Sequence, residues 1–178
     1  MRITDTENAS HILGRIEVTN LAYQFSSTDP AVFEGVNFVV ERGETIAIVG
    51  PSGCGKSTLM KCMMGLLNPT EGTVSVDGVG LNTQPDYRSN IAGVMQDDKL
   101  LAGTILDNIT MFSSTPDYKK LAKCAEMACI NNDINQMAMG YNTLVGDMGG
   151  SLSGGQKQRI FLARAFYREP QILSLIHI

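Results

Sequence analysis

Gly50-Pro51-Ser52-Gly53-Cys54-Gly55-Lys56-Ser57-Thr58 decides the fold of this chain. Through Ser57 the run fits the pattern G-x-x-x-x-G-K-[ST] with no mismatch. A triphosphate carries several negative charges at neutral pH, and inward-pointing backbone N–H groups in a tight turn form a concavity that accepts them. The N-terminus of the following helix adds partial positive charge. Gly53 and Gly55 are expected at positive φ, where a residue without Cβ lets the backbone approach the phosphate oxygens. Lys56 is expected to reach the β- and γ-phosphates as the catalytic cation. The Ser57 hydroxyl suits Mg²⁺, a hard ion that prefers oxygen.

The flanks agree with a strand, a glycine-rich turn and a helix. Thr45-Ile-Ala-Ile-Val49 is apolar and β-branched, which predicts a buried strand. Residues 57–66 predict a helix with Leu59, Met60, Met63, Met64 and Leu66 available for packing.

A second helix start follows about a hundred residues on. In Ser151-Leu-Ser-Gly-Gly-Gln156, Ser153 is a good N-cap. Its hydroxyl and the N–H groups of Gly154, Gly155 and Gln156 are expected to point out of the helix start as a second anion site. The helix is expected to run to about Arg168, with Pro170 beyond its end.

With both runs in view, the chain resembles the nucleotide-binding domain of ABC transporters. The cradle corresponds to the Walker A motif. Leu152, Ser153, Gly154, Gly155 and Gln156 match the family signature, which acts on the nucleotide of a partner subunit. Gln96, at the end of the apolar run Ile91-Ala-Gly-Val-Met95, matches the Q-loop glutamine, which serves the metal or the attacking water. The adenine-stacking aromatic aligns with Phe25, with Tyr23 as the alternative. Residues 143–150 correspond to the segment that senses the membrane partner, Asp147 standing where many exporters carry Glu. Local wording at 91–101 and 137–147 is similar to the peptidase-containing exporters of bacteriocins and double-glycine leader peptides.

The resemblance implies an α/β fold: a P-loop NTPase core, an antiparallel β layer and a helical signature subdomain at about 100–168. It implies one ATPase domain over 15–175 after a tail at 1–14, with ATP and Mg²⁺ as cofactors. It implies two partners, a second copy packed head to tail and a transmembrane domain, and a place on the cytoplasmic face of the inner membrane. A soluble ABC-type ATPase outside transport and a nucleotide-binding module that does not hydrolyse are the alternatives.

The match breaks at the end. The family continues from Pro170 through four apolar residues into Asp-Glu, which supports Mg²⁺ and the attacking water. Here Ile176 and His177 occupy those places. The expected explanation is a truncated gene fragment in which 176–178 are not native. A non-hydrolysing variant and His177 as a substitute base are the other readings.

Composition bounds the rest. In 178 residues, 14 basic and 18 acidic side chains give a net charge of −4, which offers no broad basic face for nucleic acid. No apolar window has the length of a membrane helix. The four cysteines, Cys54, Cys62, Cys124 and Cys129, lack zinc-site spacing and are expected as free thiols. Cys54 lies in the cradle, so a thiol reagent should block nucleotide binding. The other three read as small apolar core residues.

Alternation predicts strands at 16–19, 35–41 and 73–77. A short helix is expected at 105–109. Thr115-Pro116-Asp117 reads as an N-cap, a first-turn proline and an early acid opening a helix to about Ile130.

Overall fold

The computed structural model describes residues 14–83, 87–95, 97–146 and 152–176. The chain divides into two compact units, one up to residue 91 and the other from residue 92.

The first unit is built on antiparallel pairing. Strand β1 (Ile16–Tyr23) lies between β2 (Phe33–Val40) and β3 (Glu71–Val76), and β4 (Val79–Gly80) closes the order β2-β1-β3-β4. Ile16 faces Val40 on one side and Val76 on the other, so Ile16, Val18, Val74 and Val76 share a buried face. All are β-branched, the kind of side chain that suits a half-buried pleated surface. The pairing of β1 with β3 shifts between Thr19 and Ala22. Asn20 there has φ 46°, and Gly72 opposite has φ 77°. A Cβ on Gly72 would run into the Asn20 carbonyl, so this irregularity requires glycine.

Helix α1 (Lys56–Met63) follows the cradle and buries Leu59, Cys62 and Met63. It ends earlier than the apolar run predicts, because Gly65 turns the chain at φ 67° and leaves Leu66 exposed. Tyr87, in the short helix α2 (Tyr87–Asn90), is buried and donates its hydroxyl to Met63 O. Burial holds its phenol well above the usual tyrosine range.

Residues 45–49 differ from expectation. They carry no ladder pairing among the described residues, and Val49 is 87 % exposed. Apolar β-branched residues favour a pleated surface only when neighbours cover it. No described strand flanks this stretch.

In the second unit, β5 (Ile91–Val94) pairs with β8 (Ile172–Leu175), and β6 (Gly103–Thr104) pairs antiparallel with β7 (Leu144–Val145). Among the described residues four α-helices fill it: α3 (Ile105–Thr110), α4 (Tyr118–Met127), α5 (Asn131–Gln136) and α6 (Gly154–Tyr167). Leu121, Cys124, Ala125 and Ala128 recur at i, i+3, i+4 and i+7, giving α4 and its cap one buried stripe. Leu121, Ala125 and Ala128 meet Ile105, Ile109, Ile130, Ile134, Val145, Ile160 and Ala163 in one apolar cluster.

Helix α3 opens with a capping box. Thr104 Oγ1 accepts from Asp107 N at 3.0 Å, and Asp107 Oδ2 accepts from Thr104 N at 2.9 Å. Helix α4 starts two residues later than the Thr-Pro-Asp reading predicts. Asp117 is its N-cap, and Oδ1 accepts from Lys119 N and Lys120 N at 2.9 and 3.0 Å. A carboxylate reaching two otherwise unpaired N–H groups outcompetes a threonine hydroxyl placed ahead of a proline. The helix also ends early, at Met127, and Cys129 at φ 54° turns the chain into α5. Cys62 and Cys124 are buried, and burial raises both thiols. Cys129 is exposed, because the left-handed turn carries it off the apolar stripe, which corrects its expected core role.

Candidate functional site

The cradle takes the form its glycines predict. Gly53 and Gly55 adopt φ 81° and φ 93°, and Gly55 is the N-cap residue of α1. Leu59 N–H donates to Gly55 O at 2.8 Å, the first bond of the helix. The first turn of α1 contains no acidic side chain, so nothing offsets the positive end of its dipole. Gly50 to Cys54 are exposed, and Gly55, Lys56, Ser57 and Thr58 are half-buried.

Lys56 lies over its own loop. Its Nζ donates to Gly50 O and Pro51 O, each at 2.8 Å, and lies 3.8 Å from Cys54 Sγ. The ammonium is therefore held over the start of the glycine-rich turn. Cys54 is exposed within reach of this cation. A Cβ on Gly50 would come within 2.8 Å of Cys54 Sγ, so the thiol also limits what position 50 accepts.

The back wall of the cradle escaped the sequence reading. A Cβ on Gly55 would meet Val32 Cγ1 at 2.8 Å and Phe33 Cδ1 at 3.3 Å. Both residues precede or open β2, ahead of the strand that alternation predicts at 35–41. Phe33 continues into an aromatic row. Its ring lies 6.4 Å from Tyr23 at 29°, and Tyr23 meets Phe25 edge-on at 5.2 Å. Phe25 lies beyond the end of β1 and is 70 % exposed. Tyr23 is held between two rings, so Phe25 presents the freer face of the two residues expected to stack on a base.

The second helix start is also formed. Ser153 caps α6 in a reciprocal box: Oγ accepts from Gln156 N at 3.2 Å, and Gln156 Oε1 accepts from Ser153 N at 3.0 Å. This corrects one expectation, since the Gln156 N–H is occupied by the cap. A Cβ on Gly154 or Gly155 would meet nothing within 4 Å, and Ser153 and both glycines are exposed. The glycines here keep the approach to the helix start open; neither has positive φ. Leu152 packs against the apolar cluster and anchors the turn.

Gln96 and Asp147 lie outside the described residues, as do residues 148–151. Next to Gln96, Met95 N donates to Asp98 Oδ2 at 2.9 Å. At the other end, Ile176 N donates to Val94 O at 3.0 Å, extending the β5–β8 pairing by one residue. His177 lies outside the described residues. Among those described, no group of three His, Cys, Asp or Glu converges on a metal position. Ser57, in the first turn of α1, carries a hydroxyl, the hard-oxygen chemistry that Mg²⁺ prefers.

A left-handed glycine turn feeding a helix that starts with a lysine defines a P-loop nucleotide-binding protein. The chain belongs to the ABC transporter family: the family model, described as "ABC transporter", matches residues 33–175. The "Probable microcin-H47 secretion/processing ATP-binding protein" of Escherichia coli is 47 % identical over 165 residues, 90 % of this chain and 23 % of that protein. The "Colicin V secretion/processing ATP-binding protein" of Escherichia coli is 44 % identical over the same length, again 90 % of this chain and 23 % of that protein. This chain thus spans about a quarter of these curated relatives. A solved structure, "Structure of a bacterial Atm1-family ABC exporter with ATP bound", superposes with a TM-score of 0.84 at 34 % identity, over 91 % of this chain and 28 % of that one.

Proposed function

We propose that this chain is the ATP-binding engine of an ABC exporter that moves a peptide across the inner membrane from its cytoplasmic face. The carrying observation is the pair of glycine-bearing helix starts, one at Gly55 and Lys56 and the other at Ser153, Gly154 and Gly155. One chain offers one of each. Two copies facing head to tail would bring the cradle of one to the signature of the other, completing two sites.

In this reading residues 50–58 hold the phosphates, and Lys56 leaves the Gly50 and Pro51 carbonyls to neutralise the β- and γ-oxygens. Ser57 and Gln96 would hold Mg²⁺, which would supply positive charge to offset the charge developing on the transferred phosphoryl group. Phe25 stacks on the adenine. Ser153 donates its hydroxyl to the partner's γ-phosphate while Gln156 keeps the cap. Closure of the dimer on ATP, and opening after hydrolysis, would drive the transmembrane domains. No helix among the described residues is long and apolar enough to cross a membrane, so in this reading those spans belong to another part of the protein.

Hydrolysis is a separate matter. Ile176 offers no oxygen where the family places its magnesium-supporting Asp, so the 178-residue chain is expected to bind ATP without turning it over. Peptide cargo rests on the names of the curated relatives. The test is ATP hydrolysis by the chain and by Ile176→Asp/His177→Glu. Turnover in the double variant alone supports the reading; no ATP affinity in either refutes it.

A further inference from the structure

Asn108 is a fully buried polar side chain beside Ile105 and Ile109 in the apolar centre of the second unit. Its amide is completely used. Oδ1 accepts from Leu101 N at 2.9 Å and from Arg164 NH2 at 2.8 Å. Nδ2 donates to Leu101 O at 2.9 Å and to Thr104 O at 3.0 Å. Its backbone carbonyl accepts from Arg164 Nε at 2.8 Å.

Arg164 thus grips one residue at two points, from the last turn of α6. Its guanidinium also lies 5.2 Å from the Phe161 ring centre. Phe161 packs with Ala92 and Val94 of β5, with Ala165, and with Leu100. Burial lowers the Arg164 pKa from its usual value, and the charge of Asp98 partly opposes this. The signature helix is therefore tied to both ends of the segment joining β5 to α3: to Val94 by apolar packing and to Leu101 through Asn108. Gln96 lies between these ends in sequence.

Asn108 is neutral and fully buried and Arg164 is half-buried, so the guanidinium's planar fork is met by two fixed oxygens of one residue, a grip that admits few geometries. We infer that Arg164 and Asn108 form a positioning clamp that sets the register of the Ser153–Gly155 helix start against the segment leaving β5. The partner's ATP is then gripped only when that segment is in place. This rests on the reading that residues 153–156 serve a partner's nucleotide.

The test uses the whole chain, wild type and Arg164→Lys. Lysine keeps the charge and loses the two-point fork. Three quantities are read: hydrogen exchange at the Leu101 amide, MgATP-driven self-association, and ATP affinity in a Ser153→Arg background that blocks pairing. The clamp predicts that Arg164→Lys speeds Leu101 exchange at least tenfold and weakens self-association about tenfold. It predicts ATP affinity within twofold and unchanged protection in the middle of α6. Unaltered Leu101 exchange or unaltered self-association overturns it. Lost protection throughout α6, or loss of the fold, shows a structural prop and overturns it equally. If the wild type binds no ATP or never pairs, the functional reading fails, and Leu101 exchange alone then decides the clamp.

Discussion

Adding one methyl group to the cradle should do very different things two residues apart. Gly53 and Gly55 both sit at left-handed φ, 81° and 93°. An L-residue there costs roughly 1–2 kcal/mol in backbone strain. At Gly53 nothing lies within 4 Å of a new Cβ, so Gly53→Ala carries the backbone cost alone. At Gly55 the methyl would sit 2.8 Å from Val32 Cγ1 and 3.3 Å from the Val32 carbonyl oxygen. Overpacking of this kind adds about 1–3 kcal/mol. The carbonyl is backbone and gives way least. Gly55→Ala is therefore expected to lose about 2–5 kcal/mol, divided between fold stability and the ability to hold phosphate. Urea unfolding and titration with a fluorescent ATP analogue, run on both variants, measure the two parts. Summed over them, Gly55→Ala should exceed Gly53→Ala by at least about 1 kcal/mol, or roughly fivefold in an equilibrium constant. Equal losses, or a larger loss at Gly53, would refute the close packing of the cradle on Val32.

Phe25→Ala should weaken ATP binding by about 1–3 kcal/mol through lost stacking. Because the ring is 70 % exposed, urea stability should barely move; a large stability loss with unchanged affinity would make Phe25 a packing residue. A maleimide should modify Cys54 at the cradle mouth and block ATP binding, with bound ATP protecting the thiol. Binding that survives complete labelling of Cys54 contradicts that placement. The Asp107 carboxyl is held below its usual range by hydrogen bonds from the Thr104 side chain and backbone. A depressed carboxylate contributes stability above its unfolded pKa and loses it as pH falls through the folded value. The wild type should therefore lose this contribution below about pH 4. Asp107→Asn should flatten that acid limb, and Thr104→Ala should cost about 1 kcal/mol at neutral pH. An unchanged acid limb in Asp107→Asn would remove the capping box from the account.

What the sequence revealed follows from how local each feature is. The positive φ of Gly53 and Gly55 and the cap at Ser153 depend on a few consecutive residues, and a motif states them outright. The strands of the antiparallel layer follow from alternation. The bulge at Asn20 and its glycine partner Gly72 do not, because they are distant in sequence and meet only through pairing. Residues 45–49 carry strong strand chemistry, but chemistry alone supplies no neighbour. At α4, Asp117 took the cap from Thr115 through two N–H bonds that composition does not rank. The Asn108–Arg164 grip joins residues far apart in the chain, with no spacing to announce it. The choice between Phe25 and Tyr23 came from alignment with a family, and the freer ring of Phe25 became clear only from the ring geometry.

The proposed function has two copies sharing each nucleotide. Sedimentation of the chain at saturating MgATP, beside Ser153→Arg, measures that most directly. Wild type should shift from monomer to dimer on adding ATP, while Ser153→Arg binds ATP with similar affinity and stays monomeric. A wild type saturated with ATP that remains a monomer would contradict the account.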